Sequence, residues 1–200
     1  MNTVFIDVDT QLDFLYPSGA LYVRGAERLV PVIERLNHYA SAHAIPVLST
    51  TDAHAEDDPE FTNWPPHCVA GTLGQHKPAA TLLDGRVVIP NSDAAFSIGG
   101  ARQIVVEKQT LDPFETRTLS PILQALNAGE FVVYGVVAEI CVLLAARGLR
   151  ATGKPVTLLA DAILGLSPED ASHAIEEIRA SGGKISTVAE ICTGQPGGTR

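Results

Sequence analysis

Several reactive side chains stand at points where a fold could bring them together. Cys141 lies between an apolar run, Phe131-Val-Val-Tyr-Gly135, that reads as a strand and a stretch, Ile140 to Arg150, that reads as a helix. At such a junction free amides and the positive end of the helix dipole face the sulfur, lowering a thiol pKa and offering donors to a developing oxyanion. By spacing alone the commoner explanation is a buried structural cysteine on the inner face of a helix. Asp9 follows a first apolar run, residues 4–8, at the strand end where parallel sheets bind ligands. A carboxylate there can take a thiol proton and return it to a departing amine. Asp7 and Asp13 compete for that role, and a turn or cap explains any of the three. Lys108 ends Ile104-Val-Val-Glu-Lys108, where a cation would stabilise both a thiolate and a carboxylate; a surface lysine is the default.

Asp52, His54 and His67 put one carboxylate and two imidazoles into a single segment. That donor set suits a borderline divalent ion such as Zn2+, Mn2+ or Fe2+. The competing explanation is a polar surface loop with incidental histidines.

These residues need a scaffold, and apolar runs at 4–8, 45–49, 86–89, 104–106, 131–135, 156–160 and, more weakly, 184–188 supply its strands. The runs are near-continuous rather than alternating, as in a parallel sheet covered on both faces. Between them Leu29, Ile33, Leu36 and Ala40 share one helical face, and Ala171, Ile175 and Ile178 share another. The second helix is punctuated: Ser167 can cap it, Pro168 suits its first position, Glu169 and Asp170 complement the dipole and Gly182 can end it. Strand then helix, repeated, means βαβ units and an α/β fold. The segment 51–78 has little periodicity, and so long an irregular stretch in a compact domain is usually functional. At 200 residues one domain over 1–192 is expected, with 193–200 a flexible C-terminal tail that offers no apolar face.

The charge balance narrows the partners. Fourteen Lys and Arg against 23 Asp and Glu leave a net charge of -9, which repels nucleic acid and anionic membranes. Cys68, Cys141 and Cys192 are odd in number and widely spaced, a poor disulfide framework. With no basic leader pattern and no apolar stretch of membrane length, a cytoplasmic enzyme is expected, in which homo-oligomerisation is open.

Gly135-Val-Val-Ala-Glu-Ile-Cys141-Val142 resembles the G-x-x-x-x-x-C-V signature of the isochorismatase-like cysteine hydrolases, a family that includes nicotinamidases. The resemblance implies a cis peptide between Val136 and Val137 and an oxyanion hole made by the amides of Val137 and Cys141. Asp9-Thr-Gln11-Leu-Asp13-Phe14 resembles the family's D-x-Q-x-D-F and selects Asp9. Lys108 with Phe114 downstream resembles its strand lysine, so that Asp9, Lys108 and Cys141 form the implied catalytic set. Asp52-Ala-His54 through Phe61 and Trp64-Pro-Pro-His67-Cys68 resembles the metal loop of nicotinamidases, which the isochorismatase subgroup lacks. Where many nicotinamidases carry a further histidine this chain has Glu60, so the implied ligands are Asp52, His54, Glu60 and His67, with Asp57 or Asp58 able to replace Glu60. Zn2+ is the first choice of ion, and the added oxygen donor shifts preference toward harder ones. Phe14 and Trp64 occupy the positions that flank the substrate ring, and Cys68 is implied to be structural beside the metal.

The family's fold would be a three-layer α/β/α sandwich with a mostly parallel central sheet. The resemblance implies a small-molecule amide substrate, and the activity would be hydrolysis of nicotinamide to nicotinate and ammonia through a cysteine thioester. Three alternatives stay open: the same chemistry on another small amide or ureide, a metal-dependent hydrolase in which Cys141 is structural, and a non-catalytic member of the fold.

Overall fold

A computed structural model describes residues 2–193 and arranges the apolar runs as one seven-stranded sheet. The strands are β1 (Thr3–Val8), β2 (Val47–Asp52), β3 (Arg86–Ile89), β4 (Gln103–Lys108), β5 (Glu130–Val136), β6 (Val156–Leu164) and β7 (Lys184–Ser186). Their order is β3-β4-β2-β1-β5-β6-β7, and every pairing is parallel. β1 and β2 are buried almost end to end, which is why their apolar character does not alternate.

Helices cover both faces. On one side Phe14 and Leu15 of α1 (Leu12–Leu15), Ile33, Leu36 and Ala40 of α2 (Val30–Ala42) and Val188 of α6 (Val188–Thr193) pack on Phe5, Val47 and Tyr134. On the other, α3 (Leu119–Leu126), α4 (Leu143–Ala151) and α5 (Pro168–Ala180) pack on Val4, Ile6, Leu48 and Val133. The result is the three-layer α/β/α sandwich. The side to which successive strands are added reverses at β1, since β2 lies on one side of it and β5 on the other, and the carboxyl edge at such a switch point is where open α/β sheets bind ligands.

Register sets what meets there. Val8 pairs with Thr50 and with Gly135, and Asp52 pairs with Lys108, so the ends of β1, β2, β4 and β5 lie at one height. Gly135 has φ 128°, and a Cβ there would collide with the Val8 carbonyl oxygen; only glycine lets the two central strands approach so closely.

The elements differ from the sequence reading in detail. β2 and β6 run on beyond the expected ends to Asp52 and Leu164, and the weak run 184–188 divides into β7 and the start of α6. α3 had no expected counterpart, because Thr118, Ser120 and Pro121 look like a turn even though Leu119, Ile122 and Leu123 share a buried face. The helix expected from Ile140 is preceded by a π-helical turn, Ala138–Val142, and α4 begins only at Leu143. On α5 the Ser167 hydroxyl accepts from the Asp170 amide, as the capping pattern required. Thr193, counted with the tail, ends α6, and 194–200 lie outside the described residues.

Candidate active site

Asp9 adopts φ 49°, a left-handed conformation uncommon outside glycine, and so leaves the alternation of β1. Asp7, two residues earlier, stays in register and faces α2, where its carboxylate meets Lys77 Nζ at 2.9 Å and accepts from Thr10, Asn37 and Ser49. Asp13 is also occupied, accepting from the Cys68 and Ala20 amides at 2.7 and 2.9 Å. Of the three aspartates only Asp9 turns toward the edge that carries Cys141. Its Oδ1 accepts from the Thr50 hydroxyl at 2.6 Å. Its Oδ2 lies 2.9 Å from Lys108 Nζ without the alignment of a hydrogen bond.

Lys108 is almost fully buried and also reaches Asp52 Oδ1 at 2.5 Å and the Thr110 carbonyl at 3.1 Å. Burial works against its charge, but the Asp52 and Asp9 carboxylates outweigh that and hold its pKa well above the ordinary lysine value. Asp52 shows the opposite balance: burial, with Asp9 adding to it, raises its pKa to about 6 against the pull of Lys108.

Cys141 belongs to the π-helical turn. The carbonyl of Val137 accepts from the amides of Ile140 and Val142, on either side of the cysteine. The peptide between Val136 and Val137 is cis. Burial raises the thiol pKa; Lys108 opposes the rise, and the Asp9 and Asp52 carboxylates reinforce it, Asp9 as a hydrogen-bond partner. A protonated thiol beside a carboxylate that can accept from it is the arrangement in which a base must act before the sulfur can attack.

The loop after β2 closes on itself. His54 forms an isolated bridge with Val69, donating to the Cys68 carbonyl and accepting from Ala70, and this brings the rings of His54 and His67 to 4.9 Å. His54 Nδ1 meets Asp58 Oδ2 at 3.0 Å and His67 Nδ1 meets the Pro65 carbonyl at 2.8 Å. With a proton on each Nδ1, both Nε2 lone pairs turn inward. They lie 3.9 and 4.0 Å from the two oxygens of Asp52. Ligand atoms of Asp52, His54 and His67 all fall within 4.8 Å of one another, and His54 Nε2 is buried without a hydrogen-bond partner. A buried orphan nitrogen in such a cluster fits a divalent cation.

Glu60 stands outside that compact set, with Oε1 3.8 Å from His67 Nε2. Asp58, weighed as a substitute ligand, is the partner of His54 Nδ1 instead. Cys68 is fully buried; burial first, then Asp52 and Asp13, drive its pKa far up, so it stays a neutral thiol.

A narrow, largely apolar cleft opens over Cys141. Phe14 and Trp64 line it with Ile140, Leu111 and Leu166, and its ionisable groups besides the thiol are Asp52, Glu60 and His67. Among the described residues no lysine or arginine lines it. Gln11, which the D-x-Q-x-D-F match includes without a role, holds the edge together: its amide donates to the Asp52 and Gln75 carbonyls and accepts from the Asp52 amide. Thr50 was passed over. Its place within the D-x-H strand carries no signal of its own, and only the strand pairing shows that it reaches Asp9.

A model of the isochorismatase domain matches residues 3–190. The nicotinamidase of Escherichia coli (strain K12) is 26% identical to this chain over 92% of it and 93% of its own length. The nicotinamidase/pyrazinamidase of Mycobacterium tuberculosis is 29% identical over 87% of this chain and 92% of its own. Among solved structures, the pyrazinamidase of Pyrococcus horikoshii in complex with zinc superimposes with a TM-score of 0.80 at 27% identity, over 94% of this chain and 99% of that one.

Proposed function

The chain belongs to the isochorismatase family, and from that premise we propose that it is an amidohydrolase that converts nicotinamide to nicotinate and ammonia. One observation carries the reading: the convergence of Asp9, Lys108 and Cys141 beneath a cleft that also presents the Asp52, His54 and His67 donors. The curated relatives of similar length, named as nicotinamidases, support it.

In this mechanism Asp9 takes the thiol proton as the Cys141 sulfur attacks the carboxamide carbon, and Lys108 balances the charge between carboxylate and sulfur. The oxyanion is received by the amides of Val137 and Cys141. Collapse breaks the C–N bond, and Asp9 hands its proton to the leaving ammonia. Water, giving a proton to Asp9, then cleaves the thioester, and nicotinate leaves as the thiol is re-formed. Asp52, His54 and His67, with Glu60 at their margin, would hold a divalent ion, Zn2+ first, whose Lewis acidity would orient a ring nitrogen. Phe14 and Trp64 flank the ring, and stacking of this kind is worth roughly 0.5–1.5 kcal/mol beyond area burial.

The lining chemistry favours an uncharged substrate. Phe14, Trp64, Leu111, Ile140 and Leu166 make up much of the lining, so a flat ring amide buries against apolar groups where a charged aliphatic ureide would lose hydration to them. Ammonia release from nicotinamide by the metal-loaded wild type, lost in Cys141→Ala, is the expected result. If Cys141→Ala stays active while chelation abolishes turnover, a metal-generated nucleophile is right instead. Turnover confined to aliphatic amides would move the substrate assignment and keep the cysteine chemistry.

A further inference from the structure

Leu111 and Leu166 are 36% and 48% exposed, among the few large apolar side chains on the surface. A single exposed leucine needs no explanation, but these two come from the loops after β4 and β6 and both line the same cleft. Leu166 is also held in place. The Glu139 Oε1 accepts from the Leu166 amide at 2.9 Å, and Glu139 lies in the π-helical turn that carries Cys141. The other carboxylate oxygen, Oε2, is buried without a hydrogen-bond partner. It packs so closely on Gly165 that a Cβ there would collide with it. From the far side Ser167 is fixed as the cap of α5. The Gly165–Leu166 segment is therefore clamped between the nucleophile turn and a helix cap.

From this geometry, and resting on the amidohydrolase reading above, we infer that Leu166 is a specificity-determining lip that covers a bound ring opposite Leu111, and that Glu139 is the positioning residue that ties this lip to the Cys141 turn. A buried carboxylate oxygen left without a donor is costly, and a position that retains it for one backbone contact is consistent with a fixed spacing between turn and lip. The lip contributes apolar area only. It therefore favours carboxamides whose far edge is flat and uncharged, and offers nothing to a substrate too short to reach it.

The test is steady-state turnover of nicotinamide and of acetamide by the metal-loaded full chain. Leu166→Ala removes part of the apolar contact, and preference for nicotinamide over acetamide, as the ratio of kcat/KM, should fall about 5- to 30-fold through KM for the ring substrate. Glu139→Ala should reproduce the fall. Glu139→Gln, which keeps an acceptor for the Leu166 amide, should restore most of it. Since Leu166 is half exposed its truncation should leave the melting temperature near wild type; were it to drop, Leu166→Met, which keeps the apolar volume, should hold the ratio. An unchanged ratio in Leu166→Ala, or a Glu139→Ala loss confined to kcat and equal for both substrates, would overturn the lip while leaving the enzyme reading intact. A wild type that turns over no carboxamide would overturn the reading itself and the lip with it.

Discussion

Replacing Lys108 by methionine tests the electrostatic centre of the site. The ammonium sits 2.9 Å from Asp9 and 2.5 Å from Asp52. At an effective dielectric constant of about 20 each contact corresponds to roughly 6 kcal/mol of attraction. Most of that is offset by desolvating three buried charges, at several kcal/mol per ion. Removing one partner of such a pair leaves the rest uncompensated and typically costs about 3–5 kcal/mol. Methionine has similar volume, so packing adds little. Urea unfolding of the metal-free protein at pH 8 should show the loss as a lower midpoint at constant slope. Asp52→Asn/Lys108→Met should recover part of it, because the orphaned carboxylate is then neutral. Metal-loaded Lys108→Met should also lose on the order of a hundredfold or more in kcat/KM, as the thiolate loses the ammonium that favours it. A stability loss under about 1 kcal/mol, or a double variant no better than the single one, would mean that the ammonium does not hold two buried carboxylates together.

Gly135→Ala should lose at least about 3 kcal/mol, since the new methyl meets the Val8 carbonyl and φ 128° is barred to alanine; thermal unfolding reads it, and a near-native melting temperature would show that β1 and β5 can part. Asp58→Ala frees His54 Nδ1 and should weaken zinc binding about 10- to 100-fold by chelator competition, whereas Asp58→Asn, which keeps an acceptor oxygen, should lose less. In metal-free protein the Asp52 pKa is raised from 3.8 to about 6. The folded state therefore binds more protons than the unfolded one between those values, and this carboxyl's contribution to stability falls as pH rises from 4 to 6 and levels above it. The difference in unfolding free energy between wild type and Asp52→Asn should follow that course, and a difference independent of pH would show that Asp52 titrates normally.

Much of the site was legible because its residues end strands. Asp9, Asp52, Lys108 and the Cys141 turn all follow near-continuous apolar runs, and a parallel sheet must deliver such ends to one edge. The βαβ alternation and the Ser167 cap were readable for the same reason: they are local rules of period and hydrogen bonding, complete within a few residues. Other features depended on partners far away in sequence. Thr50 reaches Asp9, Gln11 clamps Asp52 and Glu139 holds Leu166 across 41, 41 and 27 positions, and no periodicity encodes such pairings. The motif resemblance had selected Asp9 among Asp7, Asp9 and Asp13, but the left-handed turn that aims it at the edge, and the bonds that occupy the other two, are visible only in the fold. Glu60 was implied as a fourth ligand by the resemblance to the nicotinamidase metal loop; the closed loop draws Asp52, His54 and His67 together, with Glu60 Oε1 3.8 Å from His67 Nε2. The sequence by itself determined which chemistry was available and which sheet edge would carry it, because hydrophobic patterning commits strands and their ends. Only the tertiary structure decided which side chains face one another there, because register, backbone sign and loop closure are set by packing among segments that the chain order keeps apart.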